Sequence, residues 1–250
     1  MAANIQSRFV GNRQTLQHLT TACGGASPQG EALKAWHQDY TVFIKGVVIH
    51  MKEIENELYQ DGYINIAGVD EAGRGPLAGP VCAAAVILPQ DAVIDGINDS
   101  KKLSAKKRDA LFDIIKETAL AYCVEFVYPD VIDAINIKQA TALAMHNAVS
   151  GLSVKSDFVI IDGNDNIPYE IPFKYIVKGD ANSQTIAAAS ILAKVSRDRF
   201  MDELDKKYPQ YGFAKHKGYG TKVHIEAIQK FGVSEVHRKS FMTDKVLGNV

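Results

Sequence analysis

Four acidic residues offer this sequence its most specific chemistry. Asp70 and Glu71 are adjacent and follow the apolar run Tyr63-Ile-Asn-Ile-Ala67. Asp162 closes a second run, Asp157-Phe-Val-Ile-Ile-Asp162, and Asp180 ends a third stretch, Phe173-Lys-Tyr-Ile-Val-Lys-Gly-Asp180. Carboxylates at the ends of apolar strands are costly to bury unless they hold a cation or share protons. No histidine or cysteine joins them at ligand spacing, and hard oxygen donors select Mg²⁺ or Mn²⁺ over zinc. Four ionised carboxylates in one place repel one another, so cations are expected among them. Two divalent ions about 4 Å apart can clamp the attacking and leaving oxygens of a phosphodiester displacement. Plainer roles stay open: Asp162 could initiate a turn, and Asp180 could cap the following helix.

The strands bearing these acids set the organisation of the chain. Tyr63–Ala67 and Val81–Leu88 read as the first two, with Asp70, Glu71 and a glycine-rich loop between them. Gly73, Gly75 and Gly79 permit close backbone approach to a ligand, and Arg74 adds a fixed planar cation. Ala121–Tyr128 is a third strand, Asp157–Gly163 a fourth and Phe173–Asp180 a fifth. Helices are expected near 105–118, 129–151, 183–208 and 221–231 from apolar spacing of three and four. Open α/β sheets bind ligands at the carboxyl ends of their strands, the edge to which Asp162 and Asp180 would be delivered.

Basic residues lie near these elements. Lys101 and Lys102 open one helix, Lys194 and Arg197 share a face of another, and Lys215 and Lys217 lie in the loop Gly212–Thr221. Such residues fit a polyanionic substrate, where phosphate contacts give affinity without sequence information. Tyr219 stands between two glycines in that loop, an exposed setting.

Residues 1–60 are expected to form a separate helical module. A short helix is expected near 13–22 and a loop over 24–30. A long amphipathic helix then carries Leu33, Trp36, Tyr40, Phe43, Val47, Met51, Ile54 and Leu58 on one face. The catalytic domain is expected over 61–250.

The 250-residue chain has 46% hydrophobic and 23% charged residues, ordinary for a globular protein. A net charge of −1 excludes a globally basic nucleic-acid binder, although gathered carboxylates can mask a local basic face. Three cysteines without ligand spacing read as reduced residues. With no membrane-length apolar run and no leader pattern, a soluble, cytoplasmic, monomeric protein is expected.

The string DEAGRGPLAGP over 70–80 resembles the signature of ribonuclease HII, the type 2 RNase H family. Asp99-Ser-Lys-Lys-Leu103, Ala187–Asp198 and the His237-Arg-Lys-Ser-Phe241 string extend the resemblance over about residues 63–241. The resemblance implies a ribonuclease H-like α/β fold: a mixed five-stranded sheet flanked by helices, its first three strands antiparallel. It implies cleavage of the RNA strand of RNA–DNA hybrids and cleavage 5′ to single ribonucleotides in duplex DNA. Products would carry 5′-phosphate and 3′-hydroxyl ends. It assigns two divalent ions, Mg²⁺ or Mn²⁺, to Asp70, Glu71, Asp162 and Asp180. It further implies that the Gly73-Arg74-Gly75 backbone and Tyr219 recognise the 2′-OH where RNA gives way to DNA, the local feature that separates the two sugars.

Two other classes compete. A DNA-directed nuclease or strand transferase of the same fold would lack the 2′-OH sensor. A non-enzymatic phosphate cradle could use the glycine loop, but no Gly-Lys-Ser/Thr follows it as in a Walker motif. Metal titration separates this last reading, because a phosphate cradle has no use for clustered carboxylates.

Overall fold

The computed structural model describes residues 49–165 and 168–248. The expected helix near 13–22, the loop over 24–30 and the 31–48 part of the long helix lie outside the described residues. In chain order the elements are α1 (Glu53–Gln60), β1 (Ile66–Ala72), β2 (Val81–Ile87), α2 (Ala105–Thr118), β3 (Ala121–Val127) and α3 (Pro129–Ser150). There follow β4 (Phe158–Asp162), β5 (Phe173–Ile176), α4 (Gly179–Asn182), α5 (Gln184–Lys207), α6 (Phe213–His216), α7 (Lys222–Phe231) and α8 (Asp244–Leu247).

The strands form one mixed sheet in the order β3-β2-β1-β4-β5. β1 is central, antiparallel to β2 and parallel to β4; β2–β3 is antiparallel and β4–β5 parallel. Period-2 alternation sorts β2 between two cores. Cys82, Ala84 and Val86 pack with Leu111 and Ile115 of α2 and the alanines of α5. Val81, Ala83, Ala85 and Ile87 pack with Ile132, Ala140, Ala144 and Met145 of α3. The result is a sheet between helical layers, the expected ribonuclease H-like architecture.

α5 lies against β1 because Gly68 has no side chain. A Cβ there would fall 2.5 Å from the carbonyl carbon of Thr185. Ala187, Ala188, Ala189 and Ala193 keep the rest of the contact short. This closeness brings Ser190 of α5 to Asp70.

Several boundaries differ from expectation. β1 runs through both acids, since the ladder continues with Asp70 opposite Ala84 and Glu71 opposite Ala83. The small partners leave room for carboxylates inside a strand that composition alone would end earlier. β5 stops at Ile176, and Asp180 sits on α4 rather than on a strand. Lys178 in the left-handed region (φ 57°) makes that turn. α3 breaks at Asn136 (φ 67°), whose Oδ1 accepts from the amides of Lys138 and Gln139 and so starts the second segment. The basic loop after Gly212 contains α6.

The end of the expected N-terminal module packs on the sheet domain. Met51 joins the core on the α5 side, and Leu58 packs among Ile66, Phe158, Ile176 and Ile186. Glu55 is buried, and its Oε1 accepts from Ser183 Oγ (2.7 Å) and Thr185 N (3.0 Å) at the start of α5. The compact unit that contains the sheet begins at Val47 rather than at residue 61. No helix among the described residues is long and apolar enough to cross a membrane.

Candidate active site

Three carboxylates meet beside the central strands. Asp70, Asp162 and Asp180 each offer an oxygen, and these oxygens lie within 4.8 Å of one another. β1 delivers Asp70, the last residue of β4 is Asp162, and the first turn of α4 carries Asp180. Asp162 Oδ1 accepts from the amide of Gly179 (2.6 Å), which ties α4 to the end of β4. Asp70 Oδ1 accepts from the amide of Glu71 (2.7 Å), and Ser190 lines the cleft beside it. Ser190 Oγ lies 2.9 Å from Ser100 Oγ, so the Asp99–Leu103 string is docked directly beside the acids.

Glu71 stands apart from this triad. Neighbouring strand residues face opposite ways, and Glu71 meets Arg74 at 3.6 Å. Arg74 also donates to Asp165 at 2.7 Å, a partner that sequence reasoning missed although it lies three residues beyond Asp162. Glu71 nevertheless lines the same cleft of about 330 Å³ as Asp70, Arg74, Lys101, Lys194 and Tyr219.

The electrostatics are those of a cation site. Burial, then the charges of Glu71 and Asp162, hold the Asp70 carboxyl well above the usual range. Burial also raises Glu71, with Arg74 opposing, and raises Asp180, where Asp162 adds to the effect. An all-oxygen, crowded and largely buried donor set fits a hard divalent cation, which would relieve the repulsion.

The expected substrate contacts fall into distinct settings. Lys101 is exposed with its Nζ 3.8 Å from Asp180. Burial pulls its pKa down, but Asp180 and the other site acids outweigh that and raise it. Lys102 points to Asp99 (3.8 Å) and is not among the cleft residues. Lys194 lines the cleft while paired with Asp198 at 2.8 Å. Lys217 is paired with Asp202. Lys215 is exposed. Tyr219 is 44% exposed, and a Cβ on Gly75 would lie 3.7 Å from its ring.

Arg197, expected among the phosphate contacts, lines the cleft with its guanidinium turned to the protein's own backbone. It is buried, and its guanidinium donates to the carbonyls of Ala78, Pro80 and Lys217. Arg238 works the same way on the carbonyls of Gly73, Arg74 and Gly79. Two guanidinium groups therefore fix five carbonyls of the 73–80 loop, and five fixed donors in a planar fork suit that task. Gly73 (φ +95°) lies so close to the Arg197 side chain that no Cβ fits between them. The loop is also held by Leu77 N to Gly218 O and by Gly79 N to Val236 O, 2.8 Å each. Burial lowers both arginine pKa values, Arg238 to about 9. The basic character of the C-terminal string was visible in sequence; that Arg238 faces inward was not.

Comparison with known proteins agrees with this geometry. The family model described as Ribonuclease HII matches residues 67–244. Ribonuclease HII of Desulfitobacterium hafniense (strain DSM 10664 / DCB-2) is 51% identical over 231 residues, covering 86% of this chain and 89% of that protein. Ribonuclease HII of Bacillus mycoides (strain KBAB4) is 56% identical over 193 residues, covering 77% and 75%. The crystal structure of ribonuclease H2 from Pyrococcus horikoshii OT3 superposes with a TM-score of 0.65 at 28% identity, covering 74% of this chain and 98% of that one. A matched region that takes in all four acids, the arginine-held loop and the C-terminal string leads to one conclusion: this chain belongs to the ribonuclease HII family, metal-dependent hydrolases that cleave RNA in RNA–DNA hybrids.

Proposed function

We propose that this enzyme cuts 5′ to single ribonucleotides in duplex DNA as well as within the RNA of hybrids, leaving 5′-phosphate and 3′-hydroxyl ends. The observation that carries this reading is a clustered acid triad whose Asp70 lines a cleft shared with Glu71, a glycine-flanked loop and a half-exposed tyrosine. Asp70, Asp162 and Asp180, with Glu71 beside them, would hold two divalent cations, Mg²⁺ or Mn²⁺. Bound there, such ions activate water and stabilise charge developing on the phosphate oxygens.

The chain's own groups select and orient the substrate. Lys101, the exposed cation next to the triad, attracts the scissile phosphate and offsets the acids' charge. Arg197 and Arg238 fix the carbonyls of the 73–80 loop, so the backbone of Gly73, Arg74 and Gly75 is preorganised against a ribose 2′-OH. Tyr219 packs its ring on the following deoxyribose. A hydroxyl that is bonded only when the sugar is ribose gives the discrimination.

Tyr219→Ala tests the reading. Losing a polar contact of about 1–3 kcal/mol lowers the rate roughly tenfold to a hundredfold. The ratio of kcat/KM on a lone ribonucleotide in DNA to that on a long hybrid should fall by that factor, and less for Tyr219→Phe if packing dominates. An unchanged ratio would show that Tyr219 is not the junction sensor. The residues before Val47 are proposed to aid substrate binding or docking.

A further inference from the structure

Three histidines lie behind Tyr219 and have no part in holding cations. His216 and His224 stack with ring centroids 4.4 Å apart, and the Nε2 atoms of His224 and His237 lie 3.2 Å apart. His224 and His237 are fully buried against Phe213, and Tyr211, stacked on Phe213, also packs against His237.

Their partners determine which nitrogens carry hydrogen. The carbonyl of Tyr219, 2.9 Å from His224 Nδ1, can only accept, so Nδ1 is the donor. Neutral His224 then presents Nε2 as an acceptor, and His237 Nε2 must donate to it. That leaves His237 Nδ1 to accept from the amide (3.1 Å) and hydroxyl (2.8 Å) of Ser234. Every ring nitrogen is satisfied only in this one arrangement, with both rings neutral. Burial favours it by drawing both pKa values down to about 4. His216 completes the support: its Nδ1 accepts from Gly218 N and its carbonyl from Tyr219 N (2.9 Å).

We infer that His224 and His237 are positioning residues, a directional relay from Ser234 to the Tyr219 carbonyl that fixes the tyrosine for reading the ribose junction. The inference rests on the junction-sensing reading of Tyr219 proposed above. The loop's long-range backbone ties stop at Lys217 and Gly218, while those of Tyr219 itself are short turns to His216 and Thr221; misplacement of its ring by about 1 Å can cost roughly a hundredfold in rate.

Two measurements on the full chain test it. Nitrogen-15 NMR at neutral pH should show His224 as the Nδ1–H tautomer and His237 as the Nε2–H tautomer; the opposite tautomer at either ring overturns the relay, whatever the variants do. In kinetics, His224→Leu should lower the lone-ribonucleotide to hybrid ratio of kcat/KM by roughly tenfold. His224→Asn, whose amide can still donate to the Tyr219 carbonyl, should retain most of the ratio. A folded His224→Leu with an unchanged ratio, in an assay where Tyr219→Ala lowers it, overturns positioning by the histidines. An equal loss in His224→Asn and His224→Leu reduces His224 to packing and also overturns it. If Tyr219→Ala itself leaves the ratio unchanged, the junction reading fails instead.

Discussion

Replacing Asp70 by asparagine should lower metal-dependent cleavage by roughly 10³-fold or more, which corresponds to about 4 kcal/mol of lost transition-state stabilisation. Asp70 is one of the three clustered acids and stands on the central strand, and Asn keeps its shape while removing the charge that a cation needs. The same substitution should raise the melting temperature of the metal-free protein. Burial and neighbouring acids hold Asp70's folded-state pKa above its unfolded value, so the folded chain binds the proton more tightly. Stability from that proton is present at low pH and is lost as pH rises through the folded-state pKa. At neutral pH the wild type therefore carries a repulsion that Asp70→Asn lacks, and each kcal/mol relieved raises Tm by about 2–4 °C in a chain of this size. Thermal melts with and without Mg²⁺, alongside cleavage assays, check both halves. Near wild-type cleavage at saturating metal would remove Asp70 from the centre.

The second large effect concerns where the catalytic unit begins. A chain starting at Val47 should fold and cleave, whereas one starting at Asp61 should be severely destabilised or insoluble. The shorter chain loses the burial of Met51 and Leu58, worth about 1.5–3 kcal/mol each. It also loses the Glu55 carboxylate that caps α5, worth about 1 kcal/mol. A total of roughly 4–7 kcal/mol is a large part of a typical stability of 5–15 kcal/mol. Chemical denaturation of the two chains decides the matter: equal stability would show that α1 is dispensable.

The fold and the acids were legible for different reasons. Apolar runs with turn residues between them marked β2, β3 and β4 within one or two residues, because buried strands leave an uninterrupted hydrophobic record. α2 was readable from its Ser104 cap and the spacing of Leu111 and Ile115. β1 was misjudged where Asp70 and Glu71 interrupt the apolar record, although backbone pairing ignores side-chain charge. Asp180 was legible as an acid but not as part of a helix, since the turn depends on a left-handed Lys178. Arg197 and Arg238 show the sharper limit. Composition marks an arginine as basic, but only tertiary packing decides whether it faces a phosphate or the carbonyls of its own loop. The Glu55 contact with α5 spans 128 residues of sequence to Ser183 and left no local pattern to read.

The most direct test is cleavage of a duplex DNA that contains one ribonucleotide, with Mg²⁺ or Mn²⁺ and then with excess chelator. A single nick on the 5′ side of the ribonucleotide is expected, with a 3′-hydroxyl and a 5′-phosphate, abolished by the chelator and absent from all-DNA duplex. An intact duplex under conditions where the protein degrades a long RNA–DNA hybrid, or a nick that persists in chelator, would contradict the proposed metal-dependent junction cleavage.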